Sequence, residues 1–139
     1  MPKPRILRPA SFHEFVKMVE DLQGSVQGSS WYRGCGKVSY NLKPSLYRHP
    51  TTKDLAGLST MERTLMARFR LRSIPFHDRN LEDDWDTLFL MQHYRAPTRL
   101  LDWTENPFVA LYFAVMNRHY TTTTRGNEKF EEAAVVWIL

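Results

Sequence analysis

The segment QHYRAPTRLLDWTENPFVALYFAV, residues 92–115, joins a polar turn to the most apolar helical stretch of the chain. Apolar neighbours such as Leu100 and Leu101 draw the turn toward the interior, where each unpaired polar group costs roughly 1–3 kcal/mol. The segment therefore predicts either an internal polar network or a binding site. The polar side chains concerned, together with one tryptophan, are Gln92, His93, Thr98, Arg99, Asp102, Trp103, Thr104 and Asn106.

The apolar half of this segment predicts a fourth helix that begins at Thr104 or Glu105 and ends near Arg118. Thr104 is the expected N-cap, and Pro107 fits within the first turn because a backbone N–H there has no helical acceptor. The apolar residues of this helix are distributed over nearly all of its faces. We therefore expect it to be central and buried.

Three further helices are expected before this segment. Ser11 and Glu14 have the spacing of a capping box, which marks the start of the first helix. Apolar residues at helical intervals indicate the other two. The expected helices cover residues 11–24, 59–72 and 84–92.

Short strands are expected at Trp31–Arg33, near Thr98–Leu101 and at Val135–Leu139, whereas the threonine run 121–124 and the residues after it are expected to form a polar loop. These elements predict an α+β fold: a single domain with N-terminal helices and a small curved mixed sheet packed on a buried central helix. Residues 1–10 are expected to form an extended arm, and residues 11–139 the domain.

The composition indicates a folded protein that works in a reducing compartment. The chain has 139 residues, 42% of them hydrophobic, and a single cysteine, so an internal disulfide is excluded. No apolar run is long enough to span a bilayer and no signal peptide is recognisable, so we expect a cytoplasmic protein without a membrane partner. A net charge of +4 allows an anionic partner such as a nucleotide or nucleic acid, or simply a solvated basic surface. Oligomeric state is not encoded in any pattern we recognise.

Arg33 is the first candidate for ligand binding, because a guanidinium grips phosphate or carboxylate with two hydrogen bonds. Gly34 beside it allows a ligand to approach the backbone closely. The structural alternative is an internal salt bridge, for example with Asp102.

A second group of candidates lies around the start of the fourth helix, where unpaired N–H groups favour anions. Thr98, Arg99 and Thr104 are the expected ligand-binding residues, and His93 and Asp102 the expected catalytic ones. The alternatives are that Asp102 caps the helix and that His93 holds the following loop. The histidines are scattered, with no spacing typical of metal ligands, so a metal site is not expected.

Several motifs together resemble the FRG domain, a family of bacterial and phage proteins named for an aromatic-Arg-Gly motif. The resemblance covers residues 11 to 139. Two positions depart from the family: Cys35 stands where a glutamine is common, and Arg95 where a glycine is usual. The family pattern also continues past the last strand, so we expect the domain to be truncated at Leu139. The matching residues are Trp31–Gly34, Leu42, Pro44–Leu46, Arg48, Gln92–His93, Pro97–Thr104, Asn106–Pro107 and Ala110–Ala114.

The layout more distantly resembles the ADP-ribosyltransferase fold, in which an aromatic-Arg-Gly strand binds NAD. The resemblance implies that Arg33 holds a phosphate or ribose, that Thr98 or Thr104 belongs to the second element, and that a late glutamate completes the site; Glu131 and Glu132 precede the last strand, but neither is assigned. We therefore expect binding of a nucleotide or other phosphate-bearing ligand, with NAD and ADP-ribosyl transfer as one form. The alternative is a non-enzymatic module that binds protein or nucleic acid, and a third hypothesis is RNA cleavage using His93.

Overall fold

The computed structural model describes residues 5–25, 28–50, 52–78, 81, 83–118, 120–122 and 128–139. It contains four α-helices and short antiparallel strands, which confirms the α+β class. No helix within those residues is both long and apolar enough to cross a membrane. The helices are α1 Phe12–Ser25, α2 Leu55–Ser73, α3 Asp84–His93 and α4 Pro107–Met116; the strands are β1 Tyr32–Cys35, β2 Tyr120–Thr122, β3 Glu128–Phe130 and β4 Val135–Ile138.

The chain divides into two compact units. Unit 1 comprises Met1–Ser39 and Trp103–Leu139, and unit 2 comprises Tyr40–Asp102. Unit 1 contains α1, α4 and all four strands, whereas unit 2 contains α2 and α3. Residues 1–4 of the expected N-terminal arm lie outside the described residues.

Unit 1 is built around β1, which pairs with β4 in antiparallel register. The expected strand at residues 31–33 therefore continues through Gly34 to Cys35. Thr104 forms an isolated bridge with Tyr32, in which each residue's N–H donates to the other's carbonyl at 2.7 and 2.9 Å. Tyr32 is fully buried against Val19 and Ala110, and these three residues form the core of the unit.

Two glycines let α4 lie directly on β1. A methyl group added at Gly34 would stand 1.8 Å from the carbonyl oxygen of Ala110, and one added at Gly36 would stand 1.8 Å from that of Asn117. Ala110 and Ala114 are each 1% exposed, so the helix presents its small residues to the strand. The strand and helix backbones can approach this closely only because side chains are absent or small at the contact.

The expectation that α4 is buried on all sides is wrong. Its largest side chains are exposed, because the face that meets β1 is the one bearing alanines. The exposed members are Phe108, Val109, Tyr112, Phe113, Val115 and Met116. The helix also starts later than expected: Asn106, rather than Thr104, is the N-cap, and its Oδ1 accepts from the N–H groups of Phe108 and Val109 at 2.9 and 3.3 Å.

Part of the expected polar loop after residue 120 forms strands instead, since β2 pairs with β3 in antiparallel register. Residues 123–127 of the expected loop lie outside the described residues. Beyond β3, Glu131 forms an ion pair with Lys37, and Glu132 accepts hydrogen bonds from the N–H and hydroxyl of Ser39 at 3.0 and 2.8 Å. These contacts tie the segment after β1 to the segment before β4.

Unit 2 packs α2 against α3 around Met66, Leu88 and Met91. α2 begins a turn earlier than expected, because the Asp54 carboxylate accepts from the N–H of Gly57 at 2.7 Å. α3 begins at Asp84 as expected, with Asp83 as its N-cap.

Helix α1 begins where the Ser11–Glu14 capping box predicts. Ser11 Oγ accepts from the N–H of Glu14 at 3.2 Å, and the Glu14 carboxylate accepts from the N–H of Ala10 at 2.6 Å. The expected strand at Thr98–Leu101 is not present: this segment is a loop stabilised by side-chain hydrogen bonds. The described sheets are antiparallel, not mixed.

Candidate functional site

Gln92 is the centre of a polar network in unit 2. Its amide Nε2 donates to Asp102 Oδ2 at 2.7 Å, and its Oε1 accepts from the hydroxyl of Thr98. The Thr98 hydroxyl in turn accepts from the N–H of Leu100 at 3.2 Å. Because one amide serves as donor and acceptor at once, its orientation is fixed by both neighbours.

Thr98 also joins this network to the loop before α2. Its N–H donates to Ser45 Oγ at 3.1 Å, and its carbonyl accepts from the N–H of Leu46, also at 3.1 Å. Thr98 is completely buried. The structure therefore gives this residue an internal bonding role, and its expected role in ligand binding stays a prediction.

Arg99 forms an ion pair with Glu62 of α2. Nε donates to one carboxylate oxygen at 2.7 Å and Nη2 donates to the other. The Glu62 side chain is 2% exposed whereas that of Arg99 is 49% exposed, so the arginine supplies the charge that a buried carboxylate requires. The hydrogen bonds that Arg99 donates to the Glu62 carboxylate raise the pKa of Arg99 above its usual value.

Sequence reasoning missed Glu62. A signal was present, because Leu58, Glu62 and Met66 follow one another at intervals of four on the buried side of α2. A carboxylate within an apolar stripe needs a cationic partner. Leu58 and Glu62 also border a cleft of about 190 Å³, which Arg99, Tyr47 and Ser59 line as well.

Arg33 lies in the middle of β1, directly opposite Trp137 of β4. Side chains alternate along a strand, so these two project from the face opposite to Tyr32 and Gly34. Both are partly buried. The indole Nε1 of Trp137 is buried and has no hydrogen-bond acceptor among the described residues.

Gly34 and Thr104 lie in unit 1 as well. Gly34 faces Ala110 and Ala114 of α4, so its lack of a side chain is explained by packing. The Thr104 hydroxyl accepts from the N–H of Asn106 at 3.1 Å and so shapes the turn before α4. Ligand binding by these two residues remains untested.

His93 ends α3 and does not take part in the described bonds of the Gln92 network. Its exposed ring contacts Tyr94 edge-on, with centroids 5.3 Å apart. It lines a cleft of unit 2 that also includes His77 and Asp86.

The expected site residues are therefore divided between the units. Arg33, Gly34 and Thr104 belong to unit 1, and His93, Thr98, Arg99 and Asp102 to unit 2. Within unit 2 the structure joins Thr98 and Asp102 through Gln92. The sequence also leads us to expect a cleft shared by Arg33, His93, Thr98, Arg99 and Asp102, and this stays a prediction. The described part of the chain contains no group of three His, Cys, Asp or Glu residues arranged to hold a metal ion.

Arg95 is one of the two departures from the family pattern, and its backbone conformation shows why glycine is usual there. Its φ of 59° is in the left-handed region that favours glycine. The N–H of Arg95 donates to the Gln92 carbonyl at 3.0 Å, and that of Ala96 to the Met91 carbonyl at 2.9 Å, which is the bonding pattern of a helix ended by a left-handed residue. An arginine thus occupies a position whose backbone suits glycine.

Comparison with known proteins supports the family resemblance. A family model for the FRG domain matches residues 28–123, which is more than half of the chain. No curated protein and no solved structure matches the sequence. The matched range includes β1 with its aromatic-Arg-Gly motif, the Gln92 network and α4. On this evidence the chain belongs to the FRG domain family.

Proposed function

We propose that this chain binds a phosphate-bearing ligand on the face of the β1–β4 ribbon that carries Arg33 and Trp137. The observation that supports the proposal is the indole N–H of Trp137, a buried donor without an acceptor among the described residues. It lies on the strand position paired with Arg33. Two donors, one of them cationic, thus share one partly buried face.

The chemistry of these donors favours an anion. An indole N–H can only donate, and leaving it buried without an acceptor costs about 1–3 kcal/mol. A guanidinium adds charge and a pair of parallel donors that match phosphate oxygens. A phosphate oxygen that accepts from both groups offsets the cost of the unsatisfied indole.

NAD is the ligand to test first, because the resemblance to ADP-ribosyltransferases implies it. In that form Arg33 holds a phosphate or ribose while a carboxylate stabilises the positively charged sugar of the transition state. Glu131 and Glu132 are not proposed as that carboxylate, because they bond Lys37 and Ser39. Asp102 and His93 remain the proposed catalytic residues.

The test is an NMR titration that follows the indole N–H signals of the four tryptophans. NAD, ADP-ribose, ATP and inorganic phosphate are added in turn to the parent protein. We expect the Trp137 signal, assigned by its loss in Trp137→Phe, to shift most. Arg33→Lys is expected to weaken binding, since it keeps the charge but removes the paired donors, and Trp137→Phe is expected to weaken it while retaining a ring in the core.

Arg63→Ala is the matched control, since it removes an exposed arginine from α2. It should leave the titration unchanged. The proposal fails if none of these ligands shifts the Trp137 signal of the folded parent protein. It also fails if Arg63→Ala weakens binding as much as Arg33→Lys does.

A non-enzymatic module that binds protein or nucleic acid is the second candidate. The internal bonding of Thr98, Gln92 and Arg99 favours it, because the polar residues of the motif then serve the fold of unit 2. This candidate predicts that Arg33→Ala lowers the melting temperature and that no nucleotide raises the melting temperature of the parent.

A further inference from the structure

One face of α3 forms the wall of a cleft to which neither the family match nor the Arg33 proposal gives a ligand. Asp86, Phe89, Leu90 and His93 recur at intervals of three and four, so they lie on the same side of the helix. With His77 and Leu81 they line a cleft of about 250 Å³ within unit 2.

The two imidazoles reach this cleft from different elements. His77 follows the short 3-10 turn Ile74–Phe76, and its Nε2 lies 3.0 Å from the hydroxyl of the buried Ser73. This contact fixes one side of the ring. His93 belongs to the last turn of α3, and no hydrogen bond to its ring is found within the described residues. The cleft thus brings together two imidazoles that the sequence pattern alone did not place near each other.

The remaining residues of the cleft differ in chemistry from the histidines. Phe89 is 60% exposed and stacks against Trp85 with centroids 6.1 Å apart, so an aromatic surface stands at the edge of the cleft. Asp86 adds a carboxylate, and Leu90 and Leu81 add apolar surface. A single nucleotide presents three matching parts: a base that stacks on an aromatic ring, hydroxyls that donate to a carboxylate, and a phosphate that accepts from imidazole N–H groups.

We propose that this cleft, formed by His77, Asp86, Phe89 and His93, binds one ribonucleotide unit. The base packs on Phe89, the ribose hydroxyls donate to Asp86, and the phosphate accepts from the two imidazoles. The cleft volume of about 250 Å³ is below the roughly 300–1,000 Å³ of sites that enclose drug-sized ligands, so the cleft holds one nucleotide unit with part of it in solvent and cannot enclose a dinucleotide such as NAD.

The ribose is the part that makes the proposal specific. A carboxylate that accepts from the 2′-hydroxyl distinguishes ribonucleotides from deoxyribonucleotides, whereas a purely electrostatic site does not. The proposal does not depend on the Arg33 face, because the cleft lies in the other unit; His93 is the one residue that both proposals name.

The experiment is an NMR titration of the histidine ring signals with AMP, dAMP, adenosine and inorganic phosphate. AMP is expected to shift the signals of His77 and His93 and to leave that of His13, an exposed residue of α1, unchanged. We expect AMP to bind more tightly than the other three compounds. Asp86→Asn should bring the affinities of AMP and dAMP together.

His93→Gln should weaken AMP binding by about tenfold, because one charge-assisted donor to the phosphate is lost. Phe89→Leu keeps an apolar side chain at an exposed position, so it tests the stacking surface if the histidine variant fails to fold. His13→Gln and Arg63→Ala are the controls, since both residues are exposed and outside the cleft, and they should bind AMP like the parent. The proposal is overturned if AMP leaves the His77 and His93 signals unmoved, if inorganic phosphate binds as tightly as AMP, or if Phe89→Leu binds AMP normally.

Discussion

The two units are stabilised by different interactions, although one continuous motif contributes to both. In unit 1, β1 and α4 meet at Gly34, Ala110 and Ala114, where the contact is between backbones. In unit 2, the turn after α3 is held by side-chain hydrogen bonds through Gln92 and by the Glu62–Arg99 pair. Unit 1 therefore depends on small residues that let two backbones approach, whereas unit 2 depends on polar side chains that bond one another.

The largest effect is expected from Gly34→Ala in unit 1. The added methyl group would stand 1.8 Å from the Ala110 carbonyl oxygen and 2.7 Å from the Ala114 nitrogen, and backbone atoms cannot move aside as a flexible side chain does. We expect loss of the cooperative unfolding transition, measured by circular dichroism during heating.

Gly24→Ala is the matched control, because nothing lies within 4 Å of the added carbon and the residue is in α1. It should raise the free energy of unfolding by about 0.5–1 kcal/mol, since alanine favours a helix. If Gly34→Ala unfolds at the same temperature as the parent, the close contact between β1 and α4 does not hold.

An intermediate effect is expected from the ion pair of unit 2. Arg99→Met leaves the buried Glu62 carboxylate without its cation, which costs about 3–5 kcal/mol in free energy of unfolding. Glu62→Gln should cost less, because the half-exposed guanidinium can be hydrated. Urea denaturation of the two variants measures the difference.

The two variants also show which partner needs the other, because Glu62 is buried whereas Arg99 is half-exposed. If Arg99→Met and Glu62→Gln lose the same free energy of unfolding at neutral pH, the difference in burial between Arg99 and Glu62 is contradicted.

The smallest effect is expected from Arg95→Gly, which sharpens the comparison by testing backbone conformation in unit 2. Arg95 has a φ of 59°, so glycine should raise the free energy of unfolding by a few tenths to about 1 kcal/mol. Arg68→Gly, an exposed position within α2, should lower it by about 1 kcal/mol. A loss of stability in both variants would show that the left-handed conformation at Arg95 carries no strain.

Local signals in the sequence predicted the elements that depend on neighbouring residues. The Ser11–Glu14 capping box and the start of α3 at Asp84 were expected and are confirmed, because a cap is formed within one turn. Asn106 displaced Thr104 as the cap of α4 because two polar side chains lie within three residues, and sequence alone does not rank them.

Tertiary packing decided what local signals did not. The all-round apolar pattern of α4 suggested complete burial, but Gly34 of β1 admits only the alanine face of the helix, and Tyr112 and Phe113 stay exposed. The partner of Arg99 is 37 residues away in the chain, so no local spacing pairs Arg99 with Glu62. The two imidazoles of the α3 cleft likewise come from separate elements.

By itself the sequence determined the α+β class, the positions of most helices and the membership of the FRG domain family, because each depends on local patterns or motifs. Only the tertiary structure decided which face of α4 is buried, that Gln92 bridges Thr98 and Asp102, and that Glu62 requires Arg99. The physical reason is that burial and pairing belong to residues distant in the chain, whose contacts exist only once the backbone has folded.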